Sequence, residues 1–162
     1  MKHLVIATLL LVSIILVPGA AFGHETYFLS AASGKQEVPS VISATDAWLE
    51  LQFREDSSAV RYSLVVANGV DIFAAHLHCG VAGTNGGIVV GLYGAGAVDV
   101  DGELASGVLR NPDIIAQTAE DCGVPINNIA SLLAAIRADL IYLNVHSAVN
   151  PGGEVRAQIL GF

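Results

Sequence analysis

The stretch Ala75-His76-Leu77-His78-Cys79-Gly80 sets two imidazoles one residue apart and follows them with a thiol. On a β-strand, side chains alternate between faces, so His76 and His78 share one side and can present two nitrogens to a single ion. Imidazole suits Zn²⁺, Cu²⁺, Ni²⁺ or Fe²⁺. The same parity puts Ala74 with the histidines on a wetter face, and Phe73, Ala75, Leu77 and Cys79 toward the core. In Ile141-Tyr142-Leu143-Asn144-Val145-His146-Ser147 it turns Ile141, Leu143 and Val145 inward and Tyr142, Asn144 and His146 outward. In the last apolar run, Val155, Ala157 and Ile159 go inward, and Glu154, Arg156 and Gln158 outward. If these strands neighbour one another, His76, His78, His146 and Glu154 form one first shell for a copper or zinc ion. The competing reading is a structural polar cluster in which His76, His78 and Asn144 pin adjacent loops, while Glu154 and Arg156 form an ion pair worth about 1 kcal/mol or less.

Other chemistry finds less support. A histidine general base needs an orienting partner and a substrate pocket, and the sequence names neither. No serine, histidine and aspartate set stands in a nucleophile context, so the chain reads as a non-catalytic protein rather than a hydrolase. The glycine-rich run Gly80–Gly91 precedes a strand rather than a helix, which removes the helix N-terminus a phosphate loop requires. Asp99-Val100-Asp101-Gly102-Glu103 spaces oxygens like part of a calcium loop but lacks the later ligands, and reads as an Asp-Gly turn.

The chain needs a compartment before its cysteines can be read. Lys2 and His3 precede a predominantly apolar, uncharged run from Leu4 to Val17, followed by small residues around Ala21-Phe22-Gly23. The run is shorter than the roughly 20 residues that span a bilayer, so residues 1–23 are expected to be a signal peptide cleaved after Gly23. His24 would then be the mature N-terminus, where its amine and ring together are a further copper-binding option. The remaining chain, 24–162, has the size of a single domain and no further segment apolar enough to cross a membrane. The full chain carries a net charge of −8 and a pI near 4.8, which argues against nucleic acid as a partner. Periplasmic or extracellular export favours pairing of the only two cysteines, Cys79 and Cys122, over use of Cys79 as a metal thiolate.

Period-two alternation with frequent glycine, proline and Asp-Gly breaks predicts an antiparallel, Greek-key-like β-sandwich or barrel. Strands are expected near 26–33, 47–53, 59–66, 70–79, 87–93, 103–109, 140–147 and 154–160, with Arg54–Ser58 in a hairpin turn. The exception is residues 111–139, where Asn111-Pro112 reads as a helix start and Ile129, Leu132, Leu133 and Ile136 recur at helical spacing. A short two-helix insertion is therefore expected there.

Three fragments together, SGKQEVPS (33–40), AAHLHCGVAGTNGGIVVGLY (74–93) and YLNVHSAVNPGGEVRAQI (142–159), resemble the CHRD domain, named for its occurrence in chordin. Ser40 stands where that family often has a second proline. The resemblance spans about residues 26–160 and implies an all-β domain outside the cytoplasm. Two functions follow as expectations: an exported binding or structural module whose partner is an extracellular protein or surface polymer, or a transition-metal protein using His76, His78, His146 and Glu154, with redox activity as a special case.

Overall fold

The computed structural model describes residues 25–160; the expected leader, its cleavage site and His24 lie outside them. Seven antiparallel strands, β1 (Thr26–Ser33), β2 (Asp46–Phe53), β3 (Ala59–Cys79), β4 (Ile88–Tyr93), β5 (Val98–Arg110), β6 (Ile141–Ser147) and β7 (Val155–Ile159), build one sheet. Its order runs β2-β1-β7-β6-β3-β4, and pairing of β2 with β3 closes five of the strands into a barrel. The barrel interior follows the sequence alternation: Ala47, Leu49, Leu51 and Phe53 of β2 and Val60, Leu64 and Val66 of β3 are buried. Burial of apolar side chains at about 25 cal/mol per Å² is the main force holding this core.

Closure depends on the length of β3. The sequence suggests two strands separated near Asn68-Gly69; the structure has one 21-residue strand that bends there instead. Asn68 and Asp71 take positive φ values of 53° and 50°, a conformation Asn and Asp tolerate better than other non-glycine residues. The bend lets the first half of β3 pair with β2 and the second half with β6, while β5 and β4 follow the opposite edge. Gly69 sits inside it because a Cβ there would lie 2.8 Å from both Val66 and Val100.

The insertion contains α1 (Ala119–Cys122) and α2 (Ile129–Arg137). Asn128 caps α2 through a reciprocal pair with Ser131, and Ile129, Leu132, Leu133 and Ile136 carry its stripe into the barrel core. The expected first helix is much shorter than its Asn-Pro start suggests. Asn111–Asp113 makes a single 3₁₀ turn, after which the chain runs extended because Ile115 N–H donates to the Val89 carbonyl at the edge of β4. Asn111 caps at a distance: its side chain accepts from the Ile129 N–H. Cys79 and Cys122 form a disulfide with Cα atoms 5.5 Å apart, tying the end of β3 to α1 and leaving no free cysteine among the described residues.

Candidate metal centre

The site lies where β3 and β6 run side by side. Their register pairs Ala74 with His146, His76 with Asn144 and His78 with Tyr142, so the outward side chains of both strands form one field. One residue departs from the expected parity. A bulge between Ile72 and Ala74 puts an extra residue into β3, so Ile72 enters the core and the half-buried Phe73 stands beside His146, ring centroids 6.1 Å apart. The histidines keep their expected side because they follow the bulge.

That side is not the wet surface the alternation suggests. Every residue of β6 is buried on both faces. Three loops cover its outer side: 34–43, 81–87 and 148–153. Arg156, 1% exposed, holds one of them, its guanidinium donating to the Thr84 and Val81 carbonyls and to Asn85 Oδ1 while stacking 3.5 Å above the Tyr142 ring. Asn85 in turn donates to the Val38 carbonyl, joining the first loop to the second. The expected Glu154–Arg156 ion pair is therefore not made: Arg156 is spent on loop carbonyls, and Glu154 accepts from Ser43, Ser147 and Asn150.

Beneath these loops His76, His78 and His146 converge, with one ring nitrogen from each inside a group whose members all lie within 4.8 Å of one another. His76 Nδ1 and His146 Nε2 are 3.1 Å apart and share a hydrogen bond, in which His76 is the donor and His146 Nε2 the acceptor. Two nitrogens bound to one tetrahedral ion at 2.0–2.1 Å would be separated by about 3.3 Å, so this pair needs almost no movement to share a metal. The outer nitrogens are fixed. His78 Nδ1–H donates to the Gly86 carbonyl at 3.0 Å and His146 Nδ1–H to the Pro151 carbonyl at 3.1 Å. A carbonyl can only accept, so both rings carry their proton on Nδ1 and present an Nε2 lone pair, the orientation that backbone partners give to metal-bound histidines. His78 Nε2 is buried with no hydrogen-bond partner.

All three imidazoles are held below the ordinary histidine pKa, chiefly by burial, and His146 is brought to about 4 by burial and the neighbouring His76. They are neutral at physiological pH, as metal ligands must be. Glu154 is the one sequence-nominated ligand outside the group, its carboxylate engaged by the turn that joins β6 to β7.

The sequence passed over several residues that shape the centre. Glu37, in the fragment 33–40, is buried; its Oε2 accepts from Asn144, its Oε1 has no partner, and burial raises its pKa to about 7 against the opposing Arg156 charge. Tyr142 stacks on His78 with the rings 14° apart and its hydroxyl accepts from the Gly86 N–H. Gly86 and Pro151 act through backbone carbonyls, which no side-chain pattern reveals.

The geometry defines a small closed β-barrel, stapled by a disulfide, with a buried histidine cluster under its loops. The chain belongs to the CHRD domain family, whose match covers residues 28–159. This is an extracellular-type domain, and the disulfide agrees with an oxidising compartment. No curated protein and no solved structure matches the chain significantly.

Proposed function

We propose that this CHRD domain is an exported transition-metal-binding module that holds one Zn²⁺ or Cu²⁺ ion between His76, His78 and His146. The observation that carries this reading is the buried, unpartnered Nε2 of His78, on a ring whose Nδ1 is fixed by Gly86 and which stands in the three-histidine group. A buried acceptor without a donor costs about 1–3 kcal/mol, and a metal ion would remove that cost. Export to the periplasm or the extracellular space supports the reading, since an imidazole-only set needs no reduced thiol.

The test is metal content and titration of the purified chain, with His78→Ala alongside. One Zn²⁺ or Cu²⁺ per chain, lost in the variant, is the expected result. A wild-type protein that takes up neither ion on titration overturns it.

A second reading, an interaction module for an extracellular protein or surface polymer, is favoured by a different observation. Leu29 and Trp48 are exposed on neighbouring strands β1 and β2, beside a shallow depression floored by Ala31 and Val65. Capture of an envelope component by wild type but not by Trp48→Ala would support it, whereas equal capture by both would not.

A further inference from the structure

The three imidazoles do not complete a coordination shell. Zn²⁺ and Cu²⁺ take at least four donors, and among the described residues this group of histidine, cysteine and carboxylate donors ends at three. Among the described residues, the neighbouring cysteine and carboxylates all stand outside the group. The Cys79 sulfur points away from its histidine neighbours and is locked in the disulfide with Cys122. Both oxygens of Glu154 are taken, Oε1 by Ser43 and Oε2 by Ser147 and Asn150. Glu37 sits across Asn144 rather than among the rings, and Gly153 packs so closely that a Cβ there would lie 2.6 Å from Glu37 Oε2 and 2.7 Å from Asn144 Oδ1.

The charge and the access both follow. Three neutral imidazoles leave the charge of a dication uncompensated, and burial strengthens its attraction for an anion. His146 is buried and His78 is 9% exposed, whereas His76 is half-buried, so solvent reaches the cluster most readily at His76.

Resting on the metal reading above, we propose that the ion held by His76, His78 and His146 keeps one coordination position for a small exogenous anionic donor. This is the arrangement of three protein ligands plus one exchangeable ligand that separates reactive metal sites from closed structural ones. The chain supplies the frame, and the anion enters and leaves without rearranging it.

The probe is azide, titrated into the Cu²⁺-loaded protein with absorption spectroscopy as the readout. A new, saturable azide-to-copper charge-transfer band with one azide per copper is expected. Glu37→Gln and Glu154→Gln, each nearly isosteric with the native residue, are expected to change azide affinity by less than about tenfold, since neither carboxylate occupies the position. Copper bound at one ion per chain with a spectrum that azide leaves unaltered overturns the open position while leaving the metal site intact. A gain in azide affinity of about tenfold or more in either variant also overturns it, by showing that the carboxylate was the fourth ligand. Failure to take up copper at all removes the metal reading and this inference together.

Discussion

His78 and Gly86 are joined by a 3.0 Å hydrogen bond from the imidazole Nδ1–H to the backbone carbonyl, and this bond fixes the ring whose Nε2 has no other partner. Gly86 can make it only because it has no side chain: a Cβ there would lie 1.8 Å from the Cys79 carbonyl oxygen. Gly86→Ala therefore has to push the 81–87 loop off β3 and carry the acceptor away from His78. Metal affinity is expected to fall about 10–100-fold, as when a supporting partner of a ligand histidine is lost. Isothermal titration with Zn²⁺ on wild type and variant measures it.

Arg156 should matter through packing and hydrogen bonding rather than through a surface charge. It donates to the carbonyls of Thr84 and Val81 and covers the Tyr142 ring, which stacks on His78. Arg156→Met fills part of the space but leaves these acceptors unpaired, and is expected to cost about 3 kcal/mol. Urea unfolding gives the stability. Hydrogen exchange should show lost protection concentrated at residues 80–87, and uniform loss across the barrel would contradict this assignment.

The pH dependence of the metal-free protein has two limbs of opposite sign. His146, titrating at about 4 when folded against an ordinary 6.5, is neutral in the native state, so its contribution is complete above pH 6.5 and is lost as pH falls toward 4. Glu37 behaves in reverse. Its folded pKa of about 7 lies above the ordinary 4.5, so the native state holds the extra proton and stability declines as pH rises from 4.5 through 7. Glu37→Gln is expected to flatten that decline and leave the acid limb unchanged. Unfolding free energies measured from pH 4 to pH 8 separate the two limbs.

The disulfide spans a sequence separation of 43 residues between β3 and α1. Closing a loop of that length in the unfolded chain is worth on the order of 4 kcal/mol by the entropic account. Cys79→Ala with Cys122→Ala should lower stability by about that amount yet keep the metal site, because Cys79 faces the core and the histidines face the loops. Thermal denaturation and Zn²⁺ titration of the double variant test the two halves. Loss of stoichiometric metal in a folded double variant would show that the staple positions His78.

Strand parity by itself determined most of the barrel and half of the site. A period of two puts Ala75, Leu77 and Cys79 on one face of β3 and His76 and His78 on the other, a property of extended backbone independent of what surrounds it. The same reasoning placed His146 outward on β6, and the expectation of export paired the cysteines. Local pattern could not show that Asn68 and Asp71 would bend one strand rather than divide two, or that a bulge would turn Phe73 toward His146. Nor could it show that loops from three distant parts of the chain would bury the outer face, commit Glu154 to Ser43, Ser147 and Asn150, and bring the Gly86 and Pro151 carbonyls to the two imidazoles. Parity fixes which way a side chain points. What it meets there depends on contacts between residues far apart in sequence, and those arise only when the barrel closes.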